Sequence, residues 1–210
     1  MEVKMQKTTG SLIILNSFFV TSLVISNVVA GKVISFWGLT VPSAVVAYPW
    51  TFLCTDIIGE LWGKDEANRT VKIGFAAQIF SLVLIYAAIA LPIAPFAVGL
   101  QEPFRQTLGS SARIVLASLC AYLVSQSWDV AIFHRLKNRT GGKLKWLRNN
   151  ASTMTSQLID TAIFIMIGFY GSVPDLPAMV LSQYVIKLCL ALCDTPFFYF
   201  FTRRSRTDII

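Results

Sequence analysis

Six stretches of this chain, at about residues 11–30, 42–62, 71–97, 111–134, 151–171 and 177–202, are apolar over lengths suited to a bilayer. In hydrocarbon every backbone N–H and C=O must find its partner inside the protein, which leaves helices and closed barrels as the spanning structures. Segments of this length read as helices, since a spanning strand needs only about 9–11 residues. The expected fold is an all-α integral membrane protein with six transmembrane helices, forming a single transporter domain over residues 1–210. Only 14% of the residues are charged and 55% are hydrophobic, against roughly a quarter charged in soluble domains. No separate soluble domain is expected. The first run lacks a small-x-small cleavage site and is too long for a signal-peptide core.

Lysine and arginine set the expected orientation. Fourteen fall in the N-terminal segment, the second and fourth connections and the C-terminal segment; three, Lys32, Arg105 and Arg113, fall on the other side. Lys187 lies within the last run. Both termini are therefore expected in the cytoplasm. The same bias accounts for the net charge of +7 without a nucleic-acid partner. The four cysteines all lie in apolar runs with no CxxC, and His134 is the only histidine. Neither a metal site nor a cofactor is expected.

Within this apolar frame Ser-Gln-x-x-Asp-x-Ala-Ile-Phe occurs twice, at Ser125–Phe133 and Ser156–Phe164, with six of nine positions identical. A carboxylate near the centre of a bilayer costs about 2.5–3.5 kcal/mol on insertion scales, so a repeated one points to a shared polar site. Helical spacing puts Gln126, Asp129 and Phe133 on one stripe, and Gln157, Asp160 and Phe164 on another. The expected topology makes these two helices antiparallel neighbours.

Other runs supply further polar groups. Asp56 and Glu60 share a face four residues apart, and Gln183, Lys187 and Asp194 lie along a stripe of the last run. Lys187 is the natural partner for Asp56, Asp129, Asp160 or Asp194. Asn27 is a candidate for ligand contact or for hydrogen bonding between helices. Gly59-x-x-x-Gly63 admits close helix approach and, with it, a homodimer.

Acids outnumber lysine within the runs, which suits a substrate rich in N–H donors, a cation or a bound proton. A carboxylate accepts two parallel hydrogen bonds and an amide both donates and accepts. Together they match the edge of a guanine-like base, on which Trp128, Phe133 or Phe164 could stack. The same groups would serve a polyamine or a proton relay.

Asn27-Val-Val-Ala-Gly-Lys32, the run from Tyr48 through Asp56 and Glu60 to Lys64, Ser125-Gln-x-x-Asp129, and Trp146-Leu-Arg-Asn-Asn-Ala-Ser152 leading to Ser156-Gln-x-x-Asp160-Thr161 resemble the queuosine precursor transporter family, also called the VUT or YhhQ family. The resemblance covers about residues 12–200. It implies a six-span bacterial inner-membrane protein that imports 7-deazaguanine bases such as 7-cyano-7-deazaguanine for tRNA modification. It carries the family pattern to Asp56, Glu60, Asp129, Asp160 and Lys187. It also implies a homodimer, with the lipid bilayer as the other partner.

The expected substrate-binding set is Asp56, Gln126, Asp129, Gln157, Asp160 and Lys187, with Asn27, Glu60, Trp128, Phe133, Phe164, Gln183 and Asp194 in substrate or structural roles. Three rival readings are weighed against it. One is a substrate-binding subunit of an energy-coupling-factor vitamin importer, which Leu12–Val29 disfavours by lacking Ala-x-x-x-Ala. Another is a proton or cation channel. The third is an aspartyl protease, disfavoured because neither aspartate sits in Gly-x-Gly-Asp. No catalytic residue and no enzyme activity are expected.

Overall fold

Thr8 opens the first helix of the computed structural model by accepting the Ser11 N–H at 3.1 Å, which satisfies one of the donors a helix start leaves over. Helix α1, Thr9–Val29, then runs for 21 residues. At 1.5 Å per residue it is about 31 Å long, enough for a hydrocarbon core of about 30 Å. The structure describes residues 7–139 and 145–202. The chain is predominantly helical and divides into two compact units, one of Met1–Ile34, Pro42–Ser111 and Ile186–Ile210, the other of Ser35–Val41 and Ala112–Val185.

The chain departs from the expected pattern after α1. Instead of a helix entering at residue 42, strands β1 (Val33–Phe36) and β2 (Leu39–Pro42) form a hairpin. Trp37 and Gly38 turn it with φ of 49° and 79°, the double positive φ of a hairpin whose turn twist matches its strands. Ser43 ties the base down by donating its hydroxyl to Val29 O at 2.6 Å and its N–H to Lys32 O at 2.8 Å. A 3₁₀ turn over Ser43–Val46 follows, and α2 (Tyr48–Trp62) begins with Pro49 in its first turn, where a missing N–H costs nothing. The apolar run 42–62 is thus a strand end, a turn and a 15-residue helix.

Gly63 then reverses the chain at φ 95°, a conformation that suits glycine because it has no Cβ. It is the junction between α2 and α3 (Lys64–Ala90), so Gly59 and Gly63 serve a turn rather than the uninterrupted helix face a Gly-x-x-x-Gly dimer contact requires. Asp65 and Glu66 in the first turn of α3 complement its dipole. Leu91 before Pro92 is extended and ends the helix. A second 3₁₀ segment (Pro95–Leu100) and the short helix α4 (Gln101–Gly109) follow.

The apolar core of this unit joins Leu15 and Phe19 of α1 to Cys54, Ile57, Ile58 and Leu61 of α2. Helix α3 closes on α1 at Gly74, where a Cβ would stand 2.6 Å from Phe19 Cε1 and 2.7 Å from Leu23 Cδ2. One turn on, buried Gln78 donates its Nε2 to Leu23 O at 2.8 Å.

The second unit is built on α5 (Ser111–Arg139), α6 (Lys145–Phe169) and the start of α7 (Leu176–Thr202). Gly168 lets α6 approach α5, since a Cβ there would meet Ile114 Cδ1 at 3.2 Å. Arg113 locks the same end by donating Nε to Ile167 O and an Nη to Tyr170 O, each at 2.7 Å. Gly171 turns the chain at φ 79°, and Asp175 caps α7 by accepting the Ala178 N–H at 3.0 Å.

Among the described residues three stretches are long and apolar enough to cross a membrane: Thr9–Val29, Lys64–Ala90 and Pro95–Trp128. Met154–Phe169 and Leu176–Leu190 are shorter apolar helices. Many large apolar side chains on these helices, Phe18, Phe80, Val83, Leu123 and Met166 among them, face outward. Water would penalise such a surface; lipid tails would not.

Candidate functional site

The two motif copies meet in the second unit. Contacts at Ile114–Gly168 and Ser125–Asp160 advance along α5 as they retreat along α6, so the two helices are antiparallel. Buried Ser125, the first residue of one copy, donates its hydroxyl to Asp160 Oδ1 of the other at 3.4 Å. The same hydroxyl lies 3.2 Å from Tyr122 O, one turn back on its own helix. One proton shared between two acceptors makes both bonds long.

Around this crossing the expected residues separate by depth. Asp160 and Gln157 are half-buried, while Gln126 and Trp128 are exposed. Phe164 is only 3% exposed, and its ring packs edge-on against Phe169 with centroids 5.9 Å apart. It is a core residue, not an open stacking platform. Thr161, beside Asp160, is fully buried and donates to Gln157 O at 2.8 Å. Gln183 of α7 is buried, with its Oε1 lacking a hydrogen-bond donor among the described residues. The side chains of Asp129, Phe133 and Asp194 lie outside the described residues.

The first unit holds the remaining candidates. Lys187 is 8% exposed, and its Nζ lies 5.8 Å from the centroid of the Tyr48 ring. An ammonium over a tyrosine face is attracted by the ring's quadrupole, the more so where water is excluded. Tyr48 was not singled out by sequence reasoning as a site residue; its signal was its place at the head of α2, just before Pro49. Asp56 and Glu60 are exposed on the face of α2 opposite Cys54, Ile57, Ile58 and Leu61. Asn27 is buried near the end of α1, its Nδ2 without an acceptor among the described residues.

A cavity of about 810 Å³ lies in the first unit, lined by Ile25, Val28, Val29, Val46 and a few polar side chains. Two of those, Ser43 and Ser110, already donate to the backbone at Val29 O and Thr107 O. None of the expected site residues lines it. Among the described residues no group of three His, Cys, Asp or Glu side chains could hold a metal ion.

These features coincide with a family. Residues 42–201 match the family described as "Putative vitamin uptake transporter". The chain is 32% identical over 180 residues to the "Probable queuosine precursor transporter" of Bacillus subtilis (strain 168), covering 84% of this chain and 78% of that one. It is 30% identical over 164 residues to the "Queuosine precursor transporter" of Escherichia coli (strain K12), covering 77% of this chain and 69% of that one. A Haemophilus influenzae relative with a similar name is 27% identical over 166 residues, 75% of this chain and 64% of its own. No solved structure matches the chain. The apolar helices, the paired motif copies and these relatives together place the chain in the queuosine precursor transporter family, as a multi-pass membrane transporter and not an enzyme.

Proposed function

We propose that the protein imports queuosine precursors, 7-deazaguanine bases such as 7-cyano-7-deazaguanine, across the bacterial inner membrane. Six spans with both termini in the cytoplasm fit the distribution of lysine and arginine. The observation that carries the reading is the crossing of the two Ser-Gln-x-x-Asp copies at Ser125 and Asp160. It sets a carboxylate and two amide-bearing helix turns in the second unit, on helices otherwise fit for lipid.

The chemistry follows from donors and acceptors. A 7-deazaguanine base offers a ring N–H beside an exocyclic NH₂, the parallel pair a carboxylate accepts. Asp160 takes that edge, with Asp129 as its counterpart on α5. Gln126 and Gln157 orient the neighbouring carbonyl, because an amide donates as well as accepts. Asp56 and Lys187 are further recognition residues, on the first unit, Lys187 balancing carboxylate charge when no substrate is bound. The names of the relatives support the substrate class.

The test is restoration of queuosine in tRNA. A precursor-auxotrophic, transporter-deficient bacterium supplied with 7-cyano-7-deazaguanine regains tRNA queuosine with the wild-type chain and loses most of it with Asp160→Asn at equal protein level. Full rescue by that variant would remove the aspartate from recognition. No rescue by the wild type would remove the substrate. Copurification of ATPase subunits would convert the carrier into a component of a larger importer.

A further inference from the structure

Gln183 is left over by the folded structure. It is 3% exposed on α7, and its Oε1 is enclosed without a hydrogen-bond donor among the described residues. Its neighbours are served: Ser182 donates its hydroxyl to Ala178 O at 2.7 Å, and Tyr184 donates to Met154 O at 3.2 Å. An enclosed carbonyl oxygen with no donor is destabilising, and in a membrane protein bulk water is not at hand to relieve it. A methionine of similar length would fill the space without that penalty. For the folded chain alone, glutamine is the worse choice.

The Tyr184–Met154 hydrogen bond fixes the level of α7 against α6 within the second unit. Met154 precedes Gln157 by three residues and Asp160 by six, about 4.5 and 9 Å along the helix. Gln183 adjoins Tyr184, so its level along the helix axis is within about two turns of that of Asp160. A two-ring base carries donors at both ends, which is what two acceptors at neighbouring levels of one helix pair call for.

The geometry points to Gln183 as a substrate-contacting residue that sets specificity, its Oε1 accepting the five-ring N–H of the 7-deazaguanine base. This rests on the proposed function and adds to it a basis for choosing bases over nucleosides. In a nucleoside that nitrogen carries the sugar and has no hydrogen to give. An acceptor meeting a group with no hydrogen is left buried and unpaired, which makes such a contact strongly discriminating.

The test combines stability with uptake. In the detergent-solubilised full chain, Gln183→Met is expected to raise the thermal midpoint by about 2–4 °C. In cells it is expected to raise the KM for labelled 7-cyano-7-deazaguanine about tenfold, with kcat little changed. Gln183→Glu keeps an acceptor oxygen and is expected to stay within a few-fold of wild type. Competition by unlabelled base methylated at the five-ring nitrogen should be weak in wild type, whereas Gln183→Met should no longer distinguish it from the parent base. A lower midpoint with unchanged KM and unchanged discrimination in Gln183→Met would make Gln183 purely structural and overturn the inference alone. No uptake by the wild type would overturn the substrate reading and this assignment with it.

Discussion

Ser125 Oγ on α5 stands 3.4 Å from Asp160 Oδ1 on α6, so the first residue of one motif copy touches the carboxylate of the other. In an antiparallel pair, four residues forward on one helix is level with four residues back on its neighbour. Position 129 of α5 is therefore about level with Ser156 of α6 along the helix pair. Ser156 is buried, as Ser125 is. The repeat thus brings the serine of one copy onto the aspartate of the other, across two antiparallel helices. Inverted repeats in transporters place substrate sites at the interface of the repeats.

Removing the carboxylate should matter more than removing the hydroxyl. A hydrogen bond to a charged group is worth about 1.5–3 kcal/mol and one between neutral groups about 1 kcal/mol. Asp160→Asn is expected to lower kcat/KM for 7-cyano-7-deazaguanine by roughly tenfold to a hundredfold, since about 1.4 kcal/mol is tenfold. Ser125→Ala, whose hydroxyl bond is long, should cost about fivefold or less. Initial uptake rates normalised to membrane protein level provide the measurement. A larger loss for Ser125→Ala than for Asp160→Asn would place the serine at the substrate and the aspartate behind it.

Gly74 gives a prediction about packing rather than recognition. Its missing side chain is where Phe19 and Leu23 lie, at 2.6 and 2.7 Å from an added Cβ. Phe19 is itself buried and has little room to swing aside. Gly74→Ala should therefore destabilise the protein by about 1–3 kcal/mol, the usual range for overpacking. Thermal melting in detergent would show it, and Phe19→Leu in the same chain should recover part of the loss. Gln78→Leu, which breaks the bond to Leu23 O, should cost about 0.6–1.7 kcal/mol, the range for membrane interhelical hydrogen bonds.

Hydropathy located α1, α7 and the start of α5 closely because these ends coincide with the ends of apolar runs; the last run begins at 177 and α7 at Leu176. It mistook the starts of α6 and α3 because each helix begins with charged turns that an apolar run leaves out, Lys145 and Asp65 among their residues. The hairpin was illegible. Trp37-Gly38 is not an Asn-Gly turn, and strand pairing depends on a partner rather than on either strand's own pattern. Helix α4 is amphipathic and short, so an apolar-run reading passes over it. At the site, the motif exposed Asp160 but not its contact with Ser125. Periodicity put Phe164 on the stripe of Gln157 and Asp160. It could not foresee that α5 closes on α6 near Gly168 and buries that end of the stripe.

Arg113 holds that closed end together. Its guanidinium donates to Ile167 O and Tyr170 O, carbonyls at the negative end of the α6 dipole. Lysine can supply the charge but not the two-pronged geometry. Arg113→Ala is expected to cost about 1–2 kcal/mol and Arg113→Lys about half of that. The effect should appear as a lower thermal midpoint and lower membrane abundance, with KM unchanged. A KM change at constant abundance would give the arginine a part in substrate entry.

The connection between α3 and α5 supplies a test by pH. Glu102 on α4 accepts two hydrogen bonds from Arg105, each 3.0 Å, and one from Gln106 at 2.9 Å. These bonds, the one from Arg105 first, hold its carboxyl below the usual value of 4.5. A carboxylate depressed by folding lends stability above its ordinary value and loses that contribution as pH falls through the depressed one. The group is fully exposed, so solvent screening keeps the effect on global stability small. The clean readout is the titration itself. Carbon-13 NMR of labelled Glu102 in the solubilised chain should give a midpoint below 4.5, moving up toward the ordinary value in Arg105→Gln. Gln106→Ala should move it the same way by a smaller step. An unshifted wild-type midpoint would mean that the bidentate bond does not persist in solution.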